Sequence, residues 1–497
     1  MRPDYFLHKI RKNYMSAFVL LLICAAFYYK GLLVPDPDFG WHLRLGDIIR
    51  KTGISALDPF SYTMPNYPFV DHEWLTNVLI SFLYRSIGMK GLLALFALIA
   101  TGTVMIIGRR IPSRLRIFFV ILAGSILVPF AGVRPQVIAW MFFALFIRAL
   151  DRYEKGITGW FIPLGVLVWA NSHGSFPLAL VLLVAYFAAK LMRGNHLSGR
   201  DMFVLGGSAA ATFITPYGWR SWWEVAMQMT DTGLRWSINE WMPMFFYFDL
   251  ALLLFIALSI VSWMKLRRKV SLWHGLVFWI FLFAALSGIR HIPLFIIAAF
   301  PVVGSGLAEL FELIRGPEAD ARKKMATLFL GVCILTCCAV QWGISFWTYV
   351  KQGGVRYPER AVRYLGEHPV PGRLFSIYDW GGYLIWKRPG ERVFIDGRMP
   401  SWRRGEAVRG ESANAMKEYQ DMMKNPSAFR AAMRKYHIIR VLLPKGLVSG
   451  PAQKPSFVNR WLSRWDPKQP NPGDFLRGMT KEYDDGTAVI YRAGAVK

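Results

Sequence analysis

WLTNVLISFLYRSIG, Trp74–Gly88, is the stretch whose reading decides the fold. It is apolar enough to be a membrane span. Yet it has only 15 residues, where a hydrocarbon core of ~30 Å needs about 20 residues of helix. If this segment crosses, the basic segment RRIPSRLR (Arg109–Arg116) falls on the same side as the long loop 35–73. If it lies as a helix in the interface, that segment joins the N-terminus instead.

Charge separates the two readings. With Trp74–Gly88 in the interface, the segments on the N-terminal side carry 22 Lys and Arg. The short connections on the opposite face, near 134, 172, 217–247 and 288–291, carry 4. Short basic loops stay in the cytoplasm, so the N-terminus is expected there. Loop 35–73 and the chain after Tyr349 are then expected in the periplasm or outside the cell. The basic start is followed by no small-residue cleavage site, so Tyr14–Val34 reads as a retained first span of a cell (inner) membrane protein.

Eleven segments read as spans: 14–34, 90–108, 115–131, 135–150, 158–171, 175–192, 202–216, 248–264, 271–287, 292–314 and 326–349. The expected fold is mainly α, a polytopic membrane bundle over 1–349 followed by a C-terminal α/β soluble domain over 350–497. Arg373–Tyr378, Arg392–Asp396, Ile438–Leu443 and Thr487–Arg492 read as its strands, with helices at Ala413–Lys424 and Pro426–Tyr436 between them. The composition agrees: of 497 residues 54% are hydrophobic and 15% aromatic. The net charge of +27 is no sign of nucleic acid. Much of it marks cytoplasmic segments, and the 350–497 domain carries +13 by itself, which suits an anionic membrane surface or acceptor. All four Cys lie in apolar runs, as buried thiols do.

Polar motifs fall on the face opposite the basic segments. They are DPDFGWHLR (Asp36–Arg44), DPFSYT (Asp58–Thr63), DHEW (Asp71–Trp74), VRPQ (Val133–Gln136), NSHGS (Asn171–Ser175), TPYG (Thr215–Gly218), INEW (Ile238–Trp241) and IRHIP (Ile289–Pro293). Each also has an ordinary reading: turns for the Pro-containing pairs, snorkelling for Arg134 and Arg290, aromatic-belt anchors for Trp41, Trp74 and Trp241, a helix cap for NSHG. Asp36 and Asp38 stand out, because a helix end needs one cap and not two carboxylates beside a Trp-His pair. A carboxylate there can take a proton from an attacking hydroxyl or hold a cation against a phosphate. Arginine can neutralise a phosphate through its planar fork. No Walker loop or dinucleotide fingerprint appears.

These residues carry a resemblance to the GT-C class of membrane glycosyltransferases, which use polyprenyl-phosphate-linked sugars. DFGWHLR (Asp38–Arg44) resembles the first outer loop of oligosaccharyltransferase catalytic subunits, with Asp38, Trp41 and Arg44 in the matching places. The interfacial helix followed by a span ending in Arg109-Arg110 is similar to protein O-mannosyltransferases and the lipid A aminoarabinose transferase. The D-x-x-W-H-L, D-x-F-S-Y-T and H-E-W-L run is similar to a group of bacterial GT-C-like proteins, as are YDWGGYLIW (Tyr378–Trp386) and VFIDGR (Val393–Arg398). The sequence departs from the mannosyltransferases in lacking their adjacent Asp-Glu pair after the first span.

The resemblance implies transfer of a hexose or pentose from a polyprenyl phosphate carrier to a lipid, glycan or protein acceptor. It implies Asp38 as base or metal carboxylate, Asp36 as its alternative, and His72 and Glu73 as catalytic partners. Trp41, His42, Arg44, Asp71, Arg134, His173, Glu240, Arg290 and His291 are the implied substrate-binding set. Tyr378, Asp379 and Trp380 are implied on the acceptor side, and a divalent cation (Mg, Mn or Zn) as cofactor. The other reading is a non-catalytic transporter or scaffold that binds a lipid-linked glycan. The internal repeats and broken helices typical of transporters are not seen in the sequence.

Overall fold

The computed structural model describes residues 3–156, 159–231, 233, 236, 238–266, 270–351, 357–406, 408–449 and 475–494. The first part is helical throughout. Its helices are α1 Pro3–Leu33, α2 Phe39–Thr52, α3 Trp74–Gly108, α4 Arg116–Leu127, α5 Pro135–Leu150, α6 Ile162–Ser172, α7 Pro177–Met192, α8 Gly199–Ala211, α9 Arg220–Thr230, α10 Leu250–Leu266, α11 Leu272–Ser287, α12 Ile292–Leu313 and α13 Ala319–Lys351.

Four helical stretches among the described residues are long and apolar enough to cross a bilayer: Tyr14–Leu33, Trp74–Gly108, Ile289–Leu313 and Ala319–Val350. The expected segments 158–171 and 202–216 become α6 and α8, of 11 and 13 residues. At 1.5 Å per residue each reaches only about 16–20 Å, so neither spans a bilayer core alone. The bundle is nonetheless a membrane structure. Phe18, Leu21 and Leu22 on α1 and Leu328 and Phe329 on α13 are exposed, a lateral apolar surface suited to lipid.

The segment that decides the topology is continuous with the next one, but broken within α3. Gly88 has φ 65° and ψ −173° inside an otherwise helical run, so two helices meet there. A Cβ at Gly88 would touch nothing within 4 Å; the backbone conformation, not space, requires glycine. The first half of α3 packs on α2. Ser81 and Arg85 both bond Asp47 Oδ1, at 2.7 and 2.9 Å.

Proline sets where several polar motifs end. Pro135, Pro177 and Pro293 each sit in the first turn of a helix, where a missing N–H costs nothing. Arg134 and Arg290 therefore stand just before helix N-termini, and His173 follows the last residue of α6, at the bundle end where α1 finishes.

The C-terminal domain is α/β. Helices α14 Glu359–Glu367, α15 Gly381–Lys387, α16 Ala415–Lys424 and α17 Pro426–Lys435 surround strands β1 Arg373–Ser376, β2 Ile438–Pro444, β3 Met479–Asp484 and β4 Ala488–Ala493. The sheet order is β1-β2-β4-β3, with β1 parallel to β2 and the other pairs antiparallel. Arg392–Asp396, expected as a strand, joins no ladder; Val393 makes an isolated bridge with Ser61 of the first loop. Met479–Asp484 is a strand that the Lys, Glu and Asp of its sequence disguised. The loop also enters the domain's core, where Tyr62, Met64, Tyr67 and Phe69 are buried with Phe394 and Trp402. Contact between α2 and α15 is backbone on backbone: a Cβ on Gly40 would stand 1.8 Å from the Gly382 carbonyl oxygen.

Gly88→Ala is expected to destabilise the protein by about 1–3 kcal/mol, the cost of a side chain at this φ/ψ. Gly343→Ala, on α13 with nothing within 4 Å of its Cβ, is expected to be neutral or to stabilise by up to about 1 kcal/mol. Thermal unfolding of both variants in detergent checks this.

Candidate active site

A cavity of about 590 Å³ lies where the first loop, the bundle end and the C-terminal domain meet, within the usual range for ligand sites. Asp38, Trp41 and His42 reach it from the start of α2, and Asp71, His72 and Glu73 from the end of the same loop. Arg134, His173, Glu240 and Arg290 reach it from four bundle connections, Tyr378 and Asp379 from the C-terminal domain. Residues up to 341 positions apart in sequence thus face one space.

Four expected residues are not on its wall. Asp36 stands behind it, accepting Arg134 Nε at 2.6 Å and the Asp38 backbone N–H at 2.8 Å. Arg44 points away; it donates to the Trp386 carbonyl at 2.7 Å and pairs with Asp47 at 3.3 Å, so it fastens α2 to the end of α15. His291 turns its Nδ1 to the Ala284 carbonyl at 3.0 Å. Trp380 is buried in the core of the C-terminal domain. Helical periodicity explains Arg44, which lies six residues after Asp38 and therefore on another face of α2.

Asp38 is the most activated group. Its Oδ1 accepts the Trp41 indole N–H at 2.9 Å. Burial, and then the neighbouring Asp36 carboxylate, push its pKa up to about 7, where a carboxyl can exchange protons near neutrality. Gly397 makes room for it, since a Cβ there would lie 1.8 Å from Asp38 Oδ1. Arg134 bridges two acids, with Nη2 2.7 Å from Glu240 Oε1 and Nε on Asp36. Arg290 is placed otherwise. Its guanidinium lies 4.2 Å from the Trp241 ring centroid, and among the described residues no carboxylate pairs with it.

A second set surrounds Glu73. Asn77 donates to both Asp71 oxygens at 2.9 Å, so its own carbonyl accepts from His42 Nδ1 at 2.7 Å. That hydrogen bond leaves His42 Nε2 as an acceptor. Ser175 N–H donates to His173 Nδ1 at 3.0 Å, so His173 Nε2–H faces Glu73 Oε1 at 3.2 Å. His72 Nε2 lies 4.0 Å from the same oxygen. Burial lowers His42 to about 3 and His72 to about 4, and raises Asp71 to about 6. Burial, then the Asp71 and Asp38 charges, hold Glu73 well above the carboxylate range. These shifts favour the neutral forms of Glu73 and of the imidazoles around it.

Among the described residues no three His, Cys, Asp or Glu side chains are grouped to hold a metal. The positive charge between Asp36 and Glu240 is the Arg134 guanidinium.

Sequence reasoning passed over Glu224 and Gln228 of α9 and Arg398, Ser401 and Trp402 of the C-terminal domain, all on the cavity wall. Arg398 lay inside the quoted VFIDGR motif without a role. Glu224, the sole acid in the aromatic run WRSWWEVAM, carried a signal that went unread.

No family model matches the sequence, and no curated protein matches it. Solved structures do share its fold. The Archaeoglobus fulgidus oligosaccharyltransferase in the apo form is 12% identical, with a TM-score of 0.60 over 97% of this chain and 75% of that one. Its AglB complex with an inhibitory peptide and a dolichol-phosphate is 11% identical, with a TM-score of 0.57 over 88% and 70%. The same enzyme complexed with Zn and sulfate has 12% identity and a TM-score of 0.53 over 95% and 73%. The chain therefore shares the fold of this archaeal oligosaccharyltransferase. Function rests on the site and not on that likeness.

Arg134→Gln is expected to cost on the order of 2–4 kcal/mol, because it strands Asp36 among buried groups while Glu240 stays partly solvated. Adding Asp36→Asn to it is expected to recover more than half of the loss. Chemical unfolding of the single and double variants measures both.

Proposed function

We propose that the protein is a membrane glycosyltransferase that moves a hexose or pentose from a polyprenyl phosphate carrier to a lipid, glycan or protein acceptor. The observation that carries this reading is the presence, in one cavity, of Asp38 poised near neutrality and of Arg290, a guanidinium with no carboxylate in ion-pair contact among the described residues. The GT-C fold and a fold neighbour whose complex holds dolichol-phosphate support it.

In this reading an acceptor hydroxyl attacks the anomeric carbon while Asp38 takes its proton. The bond from that carbon to the phosphate oxygen breaks, and its electron pair stays on the lipid phosphate. Arg290, with Arg134 behind it, stabilises the released charge. Attack opposite the leaving phosphate inverts the anomeric centre. The hydrogen-bonded set around Glu73 positions His42 and His173 at the sugar. The membrane is the cell (inner) membrane. The N-terminus is cytoplasmic, and the C-terminal domain lies in the periplasm or outside the cell, with Tyr378 and Asp379 toward the acceptor.

The protein in nanodiscs, incubated with labelled polyprenyl-phosphate sugars, tests the reading. Asp38→Asn is expected to lower kcat at least about 100-fold, the scale of a lost general base, while lipid binding persists. Arg290→Ala is expected to raise KM for the lipid donor about tenfold or more. Equal turnover by wild type and Asp38→Asn would remove Asp38 as the base, and binding of the lipid-linked sugar with no turnover by wild type would favour the transporter or scaffold.

The pH profile offers an independent check. Asp38 must be ionised to act, so kcat/KM is expected to rise with pH through a midpoint near its pKa of about 7. The Asp36 charge helps to raise that pKa, so the midpoint in Asp36→Asn is expected to move to lower pH. A profile that does not shift would remove Asp38 as the titrating base.

A further inference from the structure

Past Gly397 the cavity wall continues into residues that the transfer chemistry does not use. Arg398 begins this end of the wall, with a side chain only 2% exposed. Its Nε and Nη2 are taken by Asp396 at 2.8 and 2.7 Å, and Nη2 also meets Asp58 at 2.8 Å. Its Nη1 has no partner among the described residues. A buried guanidinium N–H left unsatisfied is costly, and this one belongs to a residue on the cavity wall.

Three polar groups stand on the same wall. Glu224 is buried, and its Oε1 is approached only at long range, by Gln228 Nε2 at 3.4 Å and Ser401 Oγ at 3.5 Å. No cation among the described residues pairs with it. Glu224 and Gln228 are one turn apart on α9, while Arg398, Ser401 and Trp402 share the turn after Gly397. Behind them Tyr67 stacks on Trp402, with ring centroids 4.5 Å apart and planes 11° apart, and holds that wall rigid.

We propose that this end is a subsite for a neutral polyhydroxylated ligand, a glycan chain. A free donor at Nη1 and an under-used acceptor at Glu224 suit a hydroxyl, which both donates and accepts. An anion does not suit it. The single guanidinium already faces two carboxylates, Asp58 and Asp396, and Glu224 adds a third acidic group. A lipid chain does not suit it either, because every group named except Trp402 is polar. The aromatic wall can take the apolar face of a sugar ring. That the bound glycan is the acceptor of the transfer rests on the function proposed above; the binding itself does not.

The test is direct binding to the full-length protein in nanodiscs without donor lipid. The probes are cellohexaose, chitohexaose, a sulfated hexasaccharide and an uncharged hexapeptide, followed by saturation-transfer NMR. Saturable binding of a neutral hexasaccharide is expected, weakened about tenfold or more by Gln228→Ala and by Glu224→Gln. Arg398→Lys keeps a charge between Asp58 and Asp396 but lacks Nη1, and is expected to weaken binding as well. Should that variant fail to fold, the two α9 variants decide alone. Binding unaffected by them, preference for the sulfated sugar or the peptide, or no binding of either neutral sugar overturns the subsite. Glycan binding without any sugar transfer keeps the subsite and removes the proposed reaction. Transfer to a peptide without glycan binding does the reverse.

Discussion

One guanidinium joins the two halves of the molecule. Arg398 comes from the C-terminal domain, yet it is shared between Asp396 of its own turn and Asp58 of the first loop. All three groups are buried, so each depends on the others: a lone charge there would face several kcal/mol of desolvation. Such a cluster adds little net stability compared with apolar packing, but it tolerates only one arrangement. It sets where the loop lies, and the loop carries Asp71, His72 and Glu73 to the cavity on one side and Tyr62 and Tyr67 into the second core on the other. The backbone contact at Gly40 and Gly382 makes the same demand sterically, since no Cβ fits at either position.

The electrostatics of the cavity follow from that geometry. Acids outnumber arginines along its wall, and Asp71, Glu73 and Glu224 are buried there. Two outcomes are open to a buried carboxyl: pairing with a guanidinium or holding its proton. Asp36 and Glu240 pair with Arg134, while Asp38, Asp71 and Glu73 shift upward. Equivalent residue types thus acquire different chemistry from their positions alone.

Much of the site was legible in the sequence because it is local. Asp38, Trp41 and His42 lie within one turn of a helix start, prolines pin Arg134 and Arg290 just before their helices, and His173 ends α6. The rest was not legible. Arg44 fits the same motif, yet the turn of α2 directs it to the Trp386 carbonyl. Arg392–Asp396 has strand-like residues, but its partner is the distant first loop, which offers a single bridge. Glu224 and Arg398 came to face one cavity only through folding, because α9 and the turn after Gly397 are far apart in sequence.

Sequence alone determined the class of structure: apolar segments suited to lipid, broken by short basic segments and by polar motifs. These are properties of composition and period, which survive any arrangement of the helices. Tertiary structure decided that α3 breaks at Gly88, that the first loop belongs to two cores, and which acids face the cavity. Those outcomes turn on contacts between residues hundreds of positions apart. The sharing of Arg398 by Asp58 and Asp396 is one, and no local pattern encodes a charge whose partner arrives from elsewhere in the chain.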